Sequence, residues 1–271
     1  MLKLVVRSLL VVGFMTSLSG CQASSGSLHT DLQSFEGAEF VQVDDMILDR
    51  QALEVAKDEV SAQAASGFTV YYSEPWLNGV LPVVFDSAVP ANRRQQFLEW
   101  GKKWYEATGV MVVARKKERD YITVTYNSNG CYSHVGASRG ELRNLNLASN
   151  CWYEPTVLHE IGHALGLMHE HQRPDRDSYI SINLNNMTQQ NRYAFDRLTT
   201  MNESESYDFL SIMHYGPRAF SSNGKTTIEV KSRYSQYQSK IGINKISASD
   251  RRVIAKMYAA EVRRRGKSYD N

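Results

Sequence analysis

The chain has 271 residues, 42% of them hydrophobic, and a formal net charge of +2 from 31 Lys+Arg against 29 Asp+Glu. That is enough apolar material for one sizeable core plus accessory segments, and the charge is too balanced to indicate a nucleic-acid partner. The basic runs at residues 115–119 and 263–265 are short and read as a solvated face and a tail.

Lys3 and Arg7 flank the start of an apolar run from Leu9 to Met15, too short to span a bilayer, so residues 1–20 read as an export signal. The signal closes in Leu18-Ser19-Gly20-Cys21, which resembles a bacterial lipobox, where the cysteine receives a diacylglyceryl group and becomes the new N-terminus. A conventional signal with an incidental cysteine is the alternative. The expected location is therefore the bacterial cell envelope, anchored to the membrane (the outer one in a Gram-negative cell) through lipid on Cys21, with secretion as the alternative. Three cysteines are an odd number for an exported chain, and assigning Cys21 to lipid leaves Cys131 and Cys151 as a pair. A disulfide between them closes a loop of about twenty residues and constrains the unfolded chain by around 3 kcal/mol. Two buried free thiols are the other reading.

Residues 22–34 are rich in Ser, Gly, Gln and Thr and suit a flexible tether. Phe40-Val41-Gln42-Val43 alternates, and residues 49–65 carry Leu53, Ala56, Val60 and Ala64 at helical spacing before Gly67. Strands are predicted at residues 68–72 and 80–85, with Asn78-Gly79 as a turn between them. A helix follows over residues 91–108, with Phe97, Trp100, Trp104 and Tyr105 as its core face and Gly109 ending it. Strands at 110–114 and 121–126 are joined by a charged turn. Leu142 to Leu147 alternates and is predicted as an edge strand, to which an extended peptide can add as a further strand.

The chain is organised around His159-Glu160-Ile161-Gly162-His163-Ala164-Leu165-Gly166-Leu167-Met168-His169-Glu170. At about 100° per residue, His159 and His163 lie only about 40° apart on a helix and can reach one metal ion. Glu160 is displaced by about 100° from His159, better placed to hold an attacking water than to ligate. On a continued helix His169 would face away, so the helix must stop, and Gly166 can take positive φ and turn the chain back.

This HExxHxxGxxH pattern resembles the metzincin metalloproteases, and Glu170 after it resembles the astacin family. Ser211-Ile212-Met213-His214-Tyr215 is similar to the astacin Met-turn, and Trp76-Leu77-Asn78-Gly79-Val80-Leu81-Pro82, Cys131-Tyr132-Ser133-His134-Val135-Gly136 and Arg173-Pro174-Asp175-Arg176-Asp177 add to the likeness. The resemblance covers about the last two hundred residues. It implies an α+β protease domain over residues 69–262, with a twisted mixed sheet and zinc helix in the N-terminal subdomain and a less regular C-terminal subdomain. Residues 21–68 would be tether and prosegment, and 263–271 a basic polar tail.

The resemblance further implies one Zn²⁺ per chain on His159, His163 and His169, with Tyr215 as a displaceable extra ligand that stabilises the oxyanion. Met213 would lie beneath the metal, Glu160 would be the general base, and Glu170 would contact the trimmed N-terminus. The implied function is a zinc endopeptidase acting on protein or peptide substrates, expected as a monomer. A silent zinc-containing adhesion or binding module of the envelope is the alternative. In many astacins a prosegment Phe-x-Gly-Asp motif blocks the metal. Here Phe35-Glu36-Gly37 is followed by Ala38, so that aspartate is missing and only Glu39 stands nearby. Gly109 stands where animal astacins have the first cysteine of a second disulfide. His134, His171 and His214 are expected to be structural, and Arg218, Lys225 and Arg233 surface-exposed. A further helix is predicted around residues 187–198, and a last one with Ser247 and Asp250 as its cap and Val253, Ile254, Met257 and Tyr258 facing inward.

Overall fold

The computed structural model describes residues 40–49, 74–137, 143–198, 205–243 and 245–269. The expected signal, Cys21, the tether, Glu39, the helical pattern beginning at Asp49 and the strand at 68–72 lie outside these residues, apart from Asp49 itself. The architecture is α+β. Seven strands form one mixed sheet: β1 (Phe40–Val43), β2 (Met46–Asp49), β3 (Val80–Phe85), β4 (Met111–Ala114), β5 (Ile122–Thr125), β6 (Cys131–His134) and β7 (Asn144–Leu147), in the order β1-β2-β6-β7-β5-β3-β4. Helices α1 (Ala91–Thr108) and α2 (Glu154–Ala164) share the main core with the sheet, and α3 (Ala248–Met257) and α4 (Ala259–Tyr269) return to it at the end of the chain.

The alternating segments fold as strands because alternate side chains face a common core: Leu81, Val83, Ile122, Val124, Leu145 and Leu147 are all buried there. On α1, Phe97 and Trp104 are fully buried as their spacing predicts, whereas Tyr105, read as part of that face, is 50% exposed. Gly109 ends the helix at φ 79°. β4 and β5 do not pair with each other; β3 lies between them, parallel to both.

The edge-strand expectation is corrected. β7 is internal, antiparallel to β6 and parallel to β5, so both sets of its backbone groups are used. Sequence alternation marks a strand without marking its neighbours. β4 is one edge of the sheet; on the other side the strand next to β7 is β6, and the β1–β2 hairpin is laid on it, β2 parallel to β6 with Met46 opposite Ser133 and Ile47 opposite His134. Met46 and Leu48 are fully buried and pack with Val135 and Met168 in a small core of their own.

Cys131 and Cys151 form a disulfide with Cα atoms 5.8 Å apart, fixing β6 to the turn that precedes α2. The C-terminal subdomain is less regular: between 165 and 247 the described residues hold no α-helix. It has a two-stranded sheet of β8 (Ile180–Ile182) and β9 (Ile228–Val230), and a 3₁₀ stretch at Gln189–Phe195 where a helix was expected. An aromatic cluster including Phe195, Tyr207 and Phe209 holds it together. The Ser247–Asp250 capping box on α3 is present in both directions. The basic tail expected from 263 is helical through Tyr269, with Arg265 folded back onto the domain.

Candidate metal centre

Pro155 in the first turn of α2 costs no helical hydrogen bond, and Val157, Leu158 and Ile161 bury its inner face. His159 and His163, one turn apart, have ring centroids 4.7 Å from each other. The helix ends at Ala164, Gly166 takes φ 105°, and Leu167 N donates back to Gly162 O at 2.9 Å. This reversal brings His169 to 5.3 Å from His159 and 4.8 Å from His163, centroid to centroid.

Each imidazole is oriented through Nδ1. His159 Nδ1 donates to Ile212 O (2.8 Å), His163 Nδ1 to Leu167 O (2.7 Å) and His169 Nδ1 to Gln172 Oε1 (2.9 Å). Those bonds fix the tautomer that leaves every Nε2 lone pair facing inward. His169 Nε2 and His159 Nε2 are 3.3 Å apart, which matches the separation of about 3.3 Å that two donors about 2.05 Å from a tetrahedral zinc require. His163 Nε2 is buried and makes no oriented hydrogen bond, as an imidazole kept free for a metal ion would be, and Glu160 Oε2 on the same helix is likewise buried and unpartnered. Burial pushes the His163 imidazole down to about 4, so it is neutral as a metal ligand must be. The donor set therefore fits Zn²⁺.

A fourth group completes the cluster. Asp45, at the tip of the β1–β2 hairpin, places its carboxylate 3.4 Å from His159 Nε2, 3.5 Å from His163 Nε2 and 3.0 Å from His169 Nε2. Burial alone would raise its carboxyl, but the imidazoles, His169 foremost, hold it well below the usual range. The carboxylate beside the imidazoles thus comes from residue 45, beyond the 35–38 segment. Asp44 beside it takes φ 59°, a left-handed conformation that Asp tolerates better than most residues, and its carboxylate accepts the Tyr215 hydroxyl. Tyr215, expected at the metal, is engaged with the hairpin instead. Its ring stacks on His171 at 4.1 Å and lies 4.7 Å from that of His169.

Glu160 is 1% exposed, and burial first, then Asp45 and Asp44, raises its carboxyl well above the usual carboxylate range. Met213 packs under α2, and a Cβ on Gly162 would come within 2.8 Å of its Sδ, so the helix needs glycine there to admit the turn. Asp250 fixes the same turn, accepting Ser211 Oγ (2.7 Å), Ile212 N (2.9 Å) and Ser247 N (2.8 Å). One carboxylate thus caps α3 and, through Ile212, sets the carbonyl that orients His159. Glu170 is partly buried against Asp208 N (2.6 Å) and Arg173 (3.3 Å), and desolvation lifts its carboxyl to about 8 against the pull of Arg173.

Of the remaining histidines, His134 Nδ1 bonds the Asn144 backbone and His171 Nε2 bonds Ala194 O. His214 pairs with the Tyr207 hydroxyl at 2.7 Å. All three are structural. Arg218, Lys225 and Arg233 are exposed. Sequence reasoning missed Asp44, Asp45 and Gln172. The available signal for the aspartates was an acidic pair interrupting the alternation from Phe40 to Leu48, a tight-turn pattern.

The family model for the astacin peptidases matches residues 68–259. The chain belongs to the astacin family. It is 32% identical over 204 residues to Protein SpAN of Strongylocentrotus purpuratus, covering 72% of this chain and 32% of that protein. It is 34% identical over 157 residues to zinc metalloproteinase nas-6 of Caenorhabditis elegans, covering 57% of this chain and 45% of that protein. The chain thus spans less than half the length of these astacin relatives. Among solved structures, high choriolytic enzyme 1, a hatching enzyme zinc-protease from Oryzias latipes, is similar at a TM-score of 0.61 and 32% identity, with 70% of this chain and 94% of that chain covered. Myroilysin is similar at a TM-score of 0.51 and 25% identity, with 70% and 98% covered.

Proposed function

We propose that this chain is a zinc-dependent endopeptidase made in a latent form, with His159, His163 and His169 as its metal ligands. The observation that carries the reading is the convergence of three Nε2 atoms, with the Asp45 carboxylate, on one buried point, with the Nδ1 of all three imidazoles already tied. Zinc held there supplies an electrophile that polarises the scissile carbonyl and acidifies an attacking water.

Glu160 takes the proton from that water and passes it to the leaving amine. Its raised proton affinity suits this, and departure of the hairpin removes the Asp45 and Asp44 contributions and returns the carboxyl toward a base's working range. Tyr215, freed from Asp44, then donates its hydroxyl to the oxyanion. Substrate adds to β6, the edge now taken by β2. Latency is supported by the same hairpin, which fills the edge with a strand and the metal position with Asp45. Glu170 keeps its Asp208 and Arg173 partners until a trimmed N-terminus competes for it. The Leu18-Ser19-Gly20-Cys21 segment supports export to a bacterial envelope with lipid on Cys21.

The test compares zinc-loaded chain beginning at Gln22 with its Glu160→Ala variant on an unfolded protein, before and after removal of residues through 73, with and without a chelator. Cleavage appearing on removal, lost with Glu160→Ala or chelation, is the expected result. Bound zinc with no cleavage after removal would leave a silent zinc-containing module.

A further inference from the structure

A helix that stops in order to aim a side chain leaves carbonyls to be satisfied, and at the exit of α2 each has a traceable partner. Gly162 O takes Leu167 N at 2.9 Å, and His163 O takes Gly166 N and Gly136 N, both at 2.8 Å. The next two are taken by side chains from opposite ends of the domain. Ala164 O accepts the Trp76 indole Nε1 at 2.7 Å, 88 residues away in sequence, and Leu165 O accepts the Tyr258 hydroxyl at 3.1 Å, 93 residues away. Trp76 and Tyr258 are 1% and 0% exposed, and Trp76 N lies 3.5 Å from the Tyr258 hydroxyl.

The two side chains are themselves braced. Tyr258 sits at the junction of α3 and α4, and α4 grips the turn that follows Trp76. Glu261 Oε2 accepts Asn78 N at 2.7 Å, Arg265 Nη1 donates to Gly79 O at 3.0 Å, and Arg265 Nη2 donates to Gly109 O at 2.7 Å. Val262 Cγ1 lies 3.6 Å from where a Gly109 Cβ would be. Helix α4 therefore ties the chain terminus to the position that lacks a cysteine.

We infer that Trp76 and Tyr258 are positioning residues for the zinc site: from outside the cleft they hold the exit of α2, on which the relative placement of His163 and His169 depends. The link is direct, because the carbonyl that orients His163 belongs to Leu167, two residues beyond Leu165, and His169 follows two residues later. This inference rests on the ligand assignment proposed above.

The test uses the zinc-loaded full chain from Gln22, with Tyr258→Phe, which keeps the ring and removes the donor, and Trp76→Phe, which removes the indole donor and leaves a smaller aromatic ring. Release of zinc to a chromogenic chelator is the first readout; kcat and KM on a peptide after hairpin removal are the second. Each variant is expected to release zinc about tenfold faster and to lose kcat with KM held within about twofold. Phe97→Leu on α1, chosen for an equal loss of melting temperature, is expected to leave zinc release unchanged and controls for general destabilisation. Zinc release by Tyr258→Phe equal to that of Phe97→Leu would overturn the inference even if Trp76→Phe fails to fold. Faster release in a chain whose wild type cleaves nothing would uphold the bracing while the peptidase reading fell.

Discussion

Leu48 offers a way to test the proposed latency without touching the metal site. It is fully buried between Met46, Val135 and Met168, with Val43 and Leu198 at the rim of the cluster. A buried Leu→Ala change costs about 2–5 kcal/mol, and because a two-stranded hairpin can relax into the space, the low end of about 2 kcal/mol applies. The loss falls on the docking of the hairpin, since the cluster joins β2 to the domain and none of its members contributes to the imidazole cluster. At about 1.4 kcal/mol per decade, the undocked population should rise about thirtyfold. Hydrolysis of a quenched peptide by the untrimmed Leu48→Ala chain should rise by about that factor over wild type, up to the point where the undocked form dominates. After removal of residues through 73 the two chains should be indistinguishable. An untrimmed wild type as active as the trimmed one, or a Leu48→Ala chain no more active than wild type, would refute the hairpin as the block.

Two further outcomes follow from buried groups. Replacing Cys131 and Cys151 by Ser opens a cross-link between residues 20 apart and should lower unfolding stability by about 3 kcal/mol, read by urea denaturation under oxidising conditions. Burial lifts the Asp250 carboxyl above its ordinary value although Ile212, Ser211 and Ser247 donate to it, so in the window from the ordinary aspartate value up to the raised one the folded chain binds more protons than the unfolded chain. Stability contributed by this group is present below that window and falls as pH rises through it, by at most about 1.4 kcal/mol per pH unit. Asp250→Asn should flatten that slope relative to wild type in melting curves across acidic pH, and an unchanged slope would assign it to other groups.

Much of this was legible where a local pattern has a single structural outcome. The i, i+4 histidines, the stop at Gly166 and the Ser247–Asp250 cap each follow from geometry within one or two turns, and the structure has all three. Strand positions such as β1 and β7 were legible from alternation, but strand order was not: nothing local in β7 tells whether it lies inside the sheet or at its edge, and only the tertiary pairing decides that. Tyr105 was misread because helical spacing marks a face without marking its width. Asp45 was missed because a fixed motif was sought at residues 35–38. The carboxylate at the imidazoles comes from the turn of a hairpin, and nothing local in Val43-Asp44-Asp45-Met46 says where that hairpin docks. Gln172 escaped for a similar reason, since its role exists only once the chain has reversed and brought it to His169 Nδ1.

The direction of the docked strand bears on how a peptidase can hold its own chain in the cleft. The chain reverses at Asp44–Asp45 beside the imidazoles, and β2 then runs away parallel to β6. At that point the group directed at the three Nε2 atoms is a side-chain carboxylate, while the backbone is turned away through the left-handed φ of Asp44. A carboxylate has no amine to expel, so on the proposed mechanism it fills the reacting position without being a substrate. The same turn sets Asp44 on the Tyr215 hydroxyl, which removes the proposed oxyanion donor. Both effects come from two adjacent side chains whose placement depends on Met46 and Leu48 being buried. Latency in this reading is thus a property of hairpin docking, and it should end cooperatively when that small core is lost.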